Sequence, residues 1–570
     1  MALITRIKQN VLQYPGEWIV GLFSVIASGA TAIRLTGLHM VSILGDQSAH
    51  LIFSRLLFDS LTPGISQLGI WPPMLHIVMA PYAASRPLFE SGLAGFFALI
   101  PFFAASAIFL YKISYRLIHS KWLSVFAAIL YASNPFILYY SATPMMEILL
   151  LCFIFSTAYY TMLWIETDQL LYLLFAGLSI ALATLSRFEG LLLIPAVSVI
   201  VFFRMIGREY SYPKIEATFI LFWMLAGIGV LELALYDLVY FSNPLAFIGI
   251  GASPIWNLEG IGGPSVVFAG PIETFLHASY YMIGAPLVLL SLFTFILPLI
   301  RKKDRVLRIT ALSILAIPAI AVLINMMRNS STIYVPEFSP LHDFHNVRYA
   351  LTWMGFVSLS ITLFVSTLLS LKTRMVKFYS TLVLLLAAGA GIYHFYTFAM
   401  VDPYSVIARD RSAIRSTEAN PVSIRLAREY DFGYVFTNRF SNDKVLVESG
   451  LPLRKFIYEG NEFHYDETLE HPWLFARFIL MSDPNKLSNN AARSPLTEKW
   501  YGTPEFDAYY ETLYTYSGTS VYRIREAAVL QYVTEKGIDV LNTPSLDRRA
   551  KLWDRESPDW KKIDDKFLIQ

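Results

Sequence analysis

Apolar runs of roughly 17 to 25 residues, the length at which an α-helix crosses the ~30 Å hydrocarbon layer, recur along the first 400 residues and then stop. They predict spans near 18–36, 91–111, 122–140, 145–165, 170–186, 190–206, 217–241, 277–300, 308–327, 349–371 and 377–400. Alternating ten-residue strands are missing from this region, which excludes a membrane β-barrel. The expected fold class is therefore an α-helical polytopic membrane bundle of about 11 spans, up to 13, with a small C-terminal extracytoplasmic α/β domain. One apolar segment, 71–84, has only about half the length needed to cross and predicts an interfacial or re-entrant helix. Residues 1–10 are short and basic and lead into the first run without a small-residue cleavage site, so a retained first helix is expected.

Composition agrees with the pattern: 55% of the 570 residues are hydrophobic, 15% are charged, and the mean hydropathy is +0.49. The net charge of +2 gives no reason to invoke nucleic acid. The single cysteine, Cys152, lies within a span, so no disulfide forms within one chain.

Basic residues set the orientation, because Lys and Arg near span ends collect on the cytoplasmic side. Arg6, Lys8, Lys112, Arg116, Lys121, Arg204, Arg208, Lys214, Arg301, Lys302, Lys303, Arg305, Arg308, Lys372, Arg374 and Lys377 fall on one side. Before the tail the other side has no lysine, only Arg34, Arg55, Arg86, Arg187, Arg328 and Arg348. The loop 166–169 is the one cytoplasmic loop without a basic residue. A crossing at 71–84 would turn the lysine-rich loops outward, so this segment stays within a long first outer loop, 37–90. Further outer loops are 242–276 and 328–348.

Beyond residue 402 the apolar runs shorten and charges become dense. Residues 1–402 are thus expected to form the membrane catalytic domain and 403–570 a soluble extracytoplasmic α/β domain with a polar extension after about 527. Strand-like runs are 434–437, 444–448, 455–458 and 475–481. Residues 510–516 and 520–524 predict a hairpin, and 421–430 a helix capped by Asn420.

Most membrane-region ionisable residues outside the cytoplasmic basic set collect at the outer face: Asp46, His50, Arg55, Glu147, Arg187, Glu189, Glu232, Asp237, His342, Asp343, His345, Arg348 and Tyr349. They come from at least five loops or span ends, and a shared cavity is the economical explanation. Each also has a plain structural role open to it. Asp46 suits a solvated loop, and Glu147 suits a helix N-terminus. Arg187 and Glu189 are at i and i+2, which do not share a helix face; Arg187 suits a phosphate or a structural carboxylate. Glu232 lies a few turns deep, where an unpaired charge costs roughly 3 kcal/mol, so it is expected to be protonated or paired with an interior arginine. His342, Asp343 and His345 form a weak metal-ligand signal without a fixed spacing motif. Arg348 begins a span, where a guanidinium holds a phosphate at headgroup depth or snorkels to lipid. Trp18, Trp71, Tyr139 and Tyr140 suit the interfacial belt.

Gly45-Asp46-Gln47 opening a long first outer loop, the run Trp71-Pro72-Pro73-Met74-Leu75-His76, Asn134-Pro135 followed by Tyr140-Ser141 and Glu147, Leu185-Ser186-Arg187-Phe188-Glu189-Gly190, and Val347-Arg348-Tyr349-Ala350 follow in this order. With an outer soluble domain at the C-terminus, this order resembles the integral-membrane glycosyltransferases of the C superfamily, related to protein mannosyltransferases and aminoarabinose transferases. The resemblance covers essentially the whole chain. It implies transfer of a sugar from a polyprenyl (dolichyl or undecaprenyl) phosphate to a glycan, lipid or protein acceptor at the outer or lumenal face. It implies that Asp46 is the catalytic carboxylate. Many relatives carry a second acid directly after the first; here Gln47 stands there, and Glu147 is the candidate second carboxylate.

Chemistry supports the same assignment. Nucleotide sugars are generally absent outside the cytoplasm, so an outward-facing transferase needs a donor anchored in the bilayer. Asp46 would take the proton of an acceptor hydroxyl as it attacks the anomeric carbon, inverting the configuration. Arg348, with Arg187 or a histidine, would stabilise the leaving phosphate, and a divalent cation, Mg or Mn, would share that task. The membrane would be the plasma membrane of a prokaryote or the endoplasmic reticulum of a eukaryote. The rival classes are a transporter or lipid-handling protein, for which internal repeats and broken helices in both halves with charges near the midplane are expected and not clearly seen, and a scaffold, which leaves the membrane acids unexplained.

Overall fold

The computed structural model describes residues 13–69, 71–249, 270–302, 304–328, 333–339, 341–371, 373–413, 420–461, 463–484 and 494–537. The start 1–10, most of the loop 242–276 and most of the polar extension after 527 lie outside these residues.

Apolar helices dominate. In chain order they are α1 (Pro15–Gly37), α2 (Gly45–Leu56), α3 (Met74–Ala83), α4 (Ala94–Ile118), α5 (Lys121–Ala132), α6 (Pro135–Ser141), α7 (Glu147–Thr167), α8 (Leu170–Ser186), α9 (Leu193–Ile206), α10 (Tyr212–Ala226), α11 (Ile228–Phe241), α12 (Pro271–Ile283), α13 (Ala285–Thr294), α14 (Arg305–Met327), α15 (Met354–Leu369) and α16 (Arg374–Phe395). Among the described residues seven helices are long and apolar enough to cross a membrane, or up to ten if each bent pair is one span. The 17-residue α8 is shorter and equally apolar. This is a multi-pass membrane protein.

Three expected spans are broken. The 122–140 span bends by 69° between α5 and α6, where Asn134 accepts hydrogen bonds from the Phe136 and Ile137 amides and Pro135 starts the new helix. The 217–241 span bends by 48° at Gly227, and 277–300 turns by 116° at Gly284, whose φ of +103° stops α12. Several polar side chains inside the spans bond to their own helix: Ser24, Ser179 and Ser279 each donate to the carbonyl four residues back.

At the basic end of the helices, the acidic loop 166–169 is neutralised by its neighbours. Arg208 binds Asp168 at 2.8 Å and Arg116 binds Glu166. Its lack of basic residues is thus a shared charge balance, not a reversal of the rule.

α7 is the central post, packed against α4, α8 and α14. The short α3 packs against α2 and α4, so the 71–84 segment forms a ten-residue helix beside the site helix. Of the expected belt residues, Trp18 is exposed, but Tyr139 and Tyr140 are fully buried.

The C-terminal unit is built on a five-stranded sheet of order β2-β1-β3-β5-β4. The strands are β1 (Val435–Thr437), β2 (Phe456–Ile457), β3 (Phe478–Ser482), β4 (Tyr510–Tyr516) and β5 (Thr519–Ile524). β1 is parallel to β2 and β3, and the antiparallel hairpin β4–β5 turns through Ser517 and Gly518, both at positive φ. Asn420 caps the helix Pro421–Glu429 as expected. The run 444–448, read as a strand, is instead the end of helix α17 (Arg439–Glu448). Its Val445, Leu446 and Val447 are buried in succession against the bundle and sheet rather than alternating. Tertiary packing there outweighs β propensity.

α17 packs against α2, and the first long loop interlocks with the sheet unit: Gln67 donates to the Gly460 carbonyl and Asn461 to Thr62, both at 3.0 Å. Residues 404–413 lie on the bundle, with Tyr404 in its core and Arg411 paired with Asp343 at 2.8 Å.

Candidate active site

The site is a line of alternating charge at one end of the bundle. Asp46 sits in the first turn of α2 and binds the Arg348 guanidinium. Arg348 Nε lies 3.1 Å from Glu147, at the start of α7. Glu147 Oε1 also accepts from Arg187 at 2.8 Å, and Arg187 is bidentate to Glu189 at 2.9 and 3.1 Å. The Tyr349 ring lies 4.6 Å from the Arg187 guanidinium carbon and 5.6 Å from that of Arg348, so one aromatic face steadies both cations.

Local backbone explains how these groups meet. The helix α8 ends at Arg187, which is extended at φ −158° and ψ 149°, and Phe188–Leu192 follows as a 3-10 turn. That break lets i and i+2 pair, contrary to the helical expectation. Gly190 makes the fold-back: a Cβ there would come within 2.5 Å of the Ala183 carbonyl carbon and the Thr184 amide. Gly190→Ala is expected to displace the Arg187–Glu189 pair, lowering the thermal midpoint in detergent by several degrees.

Exposure falls along the line: the Asp46 side chain is 33% exposed, and Arg348, Arg187 and Glu147 are all below 10%. Asp46 is thus the member of the line most open to solvent. Burial raises the Asp46 pKa, but the Arg348 guanidinium outweighs it and holds the carboxyl below the usual range. Glu147 is no solvated cap: it is pinned by two arginines, and its Oε2 is buried without a hydrogen-bond partner among the described residues.

His50, one turn beyond Asp46, meets His76 of α3 at 2.9 Å and lies 4.6 Å, ring to ring, from Trp71. Burial pushes the His50 pKa down to about 3, so it supplies a hydrogen bond and not a charge. Gln47 does not face the charge line. Its carbonyl caps the Leu44 amide and its amide donates to Tyr139 at 3.0 Å. Trp71 and Tyr139 therefore wall the site helix, a role the belt reading missed.

Other candidates lie elsewhere. Arg55 is held by Asp59 at 2.8 Å and by the Ala83 carbonyl. His342 faces the Pro336 carbonyl, Asp343 is taken by Arg411, and His345 lies 3.6 Å from Asp410 at the site's edge. The weak metal-ligand signal of His342, Asp343 and His345 does not resolve into a cluster, because each is held by a different partner. Asp237 accepts from the Phe247 amide. Glu232 is exposed on a groove and forms no ion pair among the described residues, contrary to the expected arginine partner. No group of three His, Cys, Asp or Glu side chains among the described residues is placed to hold a metal. The described donor set does not make a metal cage by itself.

The sequence reading missed α17. Arg439 stacks 4.0 Å over Phe53 of α2 and lies 3.7 Å from Asp443, and the Arg439 amide donates to Glu459 at 3.0 Å. Burial, and the fields of Glu459 and Asp46, exceed the help from Arg439 and push the Asp443 pKa up to about 7. Asp443 holds its proton more tightly folded than unfolded, so its stabilising contribution is full below about pH 4 and is lost as pH rises through about 7. Asp443→Asn is expected to raise the thermal midpoint relative to the parent, more at pH 8 than at pH 5, as read in detergent melts. An offset independent of pH would remove this titration.

Residues 83–231 match the family described as dolichyl-phosphate-mannose-protein mannosyltransferase. Among solved structures, the archaeal oligosaccharyltransferase AglB from Archaeoglobus fulgidus, in complex with an inhibitory peptide and a dolichol-phosphate, is similar at TM-score 0.50 and 13% identity, over 91% of this chain and 75% of that one. The chain shares its overall fold with that membrane enzyme. ArnT from Cupriavidus metallidurans bound to undecaprenyl phosphate is similar at TM-score 0.45 and 12% identity, over 87% of this chain and 97% of that one. No curated protein sequence matches the chain. On this fold Asp46, Glu147, Arg187 and Arg348 come from four separate elements and meet at one end of the bundle.

Proposed function

We propose that the chain is an inverting glycosyltransferase that moves a sugar from a dolichyl or undecaprenyl phosphate to an acceptor hydroxyl at the extracytoplasmic membrane face. The observation that carries this reading is the partly exposed Asp46 held against the buried Arg348, beside an apolar groove open to the bilayer side. That groove, about 420 Å³, runs between α11 and the first loop and is lined by Trp71, Pro73, Ile77, Leu235 and Phe247. Its Trp71 wall leads to His50, and its Phe247 wall stacks on Phe188, next to Arg187. It suits the isoprenoid tail, with the phosphate at Arg348 and Arg187. The dolichol-phosphate in the AglB structure supports a carrier of this kind.

The chemistry follows from the charge line. In the resting site Arg348 is shared between Asp46 and Glu147. A donor phosphate competes for that guanidinium, loosening its hold on Asp46 and returning basicity to the carboxylate. Asp46 then takes the acceptor proton as the acceptor oxygen bonds to the anomeric carbon and the bond to phosphate oxygen breaks. Arg348 and Arg187, steadied by Tyr349, receive the leaving charge. Glu147 and Glu189 hold the arginines in place.

By the rule that basic loops face the cytoplasm, the site and the sheet unit face away from it, with the membrane of a bacterial or archaeal cell or of the endoplasmic reticulum as setting. Purified protein offered several polyprenyl-phosphate sugars, with and without chelator, is expected to release free polyprenyl phosphate from at least one. Loss of turnover with chelator would add Mg or Mn to the reaction. The three bent helices also suit a transporter; substrate flux without consumption of any donor would favour that reading.

A further inference from the structure

A second apolar groove, about 700 Å³, lies between α1, α5 and α16 and is walled by Phe23, Ala30, Leu130, Ile392 and Phe395. The span containing α16 is only 11% buried, which leaves this side of the bundle open to lipid. Two ionisable residues line the groove, Arg34 and Tyr404. Arg34 stands in the last turn of α1, and its Nε is buried without a hydrogen-bond partner among the described residues. A buried guanidinium nitrogen left unpaired is costly, and an anion at that point would satisfy it. Hydrocarbon walls and a single unpaired cation at one end together describe an amphiphile with an anionic head.

The head end of this groove abuts the aromatic wall behind the site helix. The Tyr404 ring lies 5.2 Å from Tyr139, whose hydroxyl accepts from Gln47, the neighbour of Asp46. The two grooves therefore reach α2 through different aromatic walls, Trp71 against His50 and Tyr404 against Tyr139. The donor phosphate already has Arg348 and Arg187, so Arg34 serves a different molecule.

We infer that this groove holds the acceptor, an anionic membrane lipid whose head carries a free hydroxyl, with its chains between α1 and α16 and its charge on Arg34. The inference rests on the reading of Asp46 as the base. The hydroxyl oxygen of the lipid head bonds to the anomeric carbon, the bond from that carbon to the carrier phosphate breaks, and the proton passes to Asp46.

The test uses the full chain in phosphatidylcholine nanodiscs with and without phosphatidylinositol, an anionic lipid with a polyol head. Native mass spectrometry counts retained lipid, and free polyprenyl phosphate reports donor consumption. The parent is expected to retain phosphatidylinositol and to consume donor several-fold faster in its presence. Ala30→Trp, which fills the groove, and Arg34→Leu should each cut retention about tenfold and remove the acceleration, leaving slow donor hydrolysis unchanged; Arg34→Lys should restore part of both. Equal retention in the parent and both variants, or retention without acceleration in the parent, overturns the inference. Absence of any donor consumption counts against the transferase reading instead, and retention alone then decides the groove.

Discussion

Asp46→Asn is expected to abolish sugar transfer, by about 10²–10⁴-fold, the usual worth of a positioned general base, while the protein still folds and still binds polyprenyl phosphate. The size and hydrogen-bonding edge of the side chain are kept; only the charge and the proton-accepting lone pair are lost. Asp46 is a third exposed, so its neutralisation leaves no deeply buried guanidinium without a partner, because Arg348 keeps Glu147 at 3.1 Å. A measured thermal midpoint close to the parent, with transfer near the detection limit, is the predicted pair of results. Near-normal transfer would take the carboxylate out of the mechanism.

Arg348→Ala should do more damage, of a different kind. It removes the cation shared by Asp46 and Glu147, and Glu147 is 3% exposed with one oxygen already unpartnered. Removing one partner of a buried ion pair commonly costs about 3–5 kcal/mol, because the other charge is left without compensation. Loss of a donor aimed at developing negative charge costs a further ~10²–10³ in rate. The expected outcome is a lower thermal midpoint, a much weakened affinity for the polyprenyl-phosphate sugar, and little change in the acceptor KM. Arg348→Lys should recover stability better than turnover, since a lysine is a single point charge that does not bridge two carboxylates and a phosphate at once. Equal losses toward donor and acceptor would argue against the phosphate role.

Much of this was legible in the sequence because hydrocarbon imposes simple rules. The apolar runs located the helices, and the length deficit at 71–84 correctly gave a helix too short to cross. Asp46, Glu147, Arg187, Glu189, Arg348 and Tyr349 were all named from their positions at helix ends, and they meet. What the sequence hid depends on backbone detail or on tertiary contacts. The i, i+2 pairing of Arg187 with Glu189 needs the helix to break at Arg187, a break the run Ser186-Arg187-Phe188-Glu189-Gly190 signals only through its glycine. The three bends need Asn134, Gly227 and Gly284 to be read as caps and stops inside apolar segments, where hydropathy alone sees continuity. His342, Asp343 and His345 looked like a cluster, yet Arg411, 68 residues beyond Asp343, claims that carboxylate. Asp443 was invisible for the opposite reason: nothing local marks it, and only the docking of α17 on α2 brings it into the field of Asp46.

The stereochemistry of the product tests the central claim most directly. A single displacement with Asp46 as base and Arg348 on the leaving phosphate must invert the anomeric centre. With a donor of known configuration, the coupling constant of the anomeric proton in the product reads the outcome by NMR. The opposite configuration is predicted; retention would require a covalent sugar intermediate and would contradict Asp46 as a lone base.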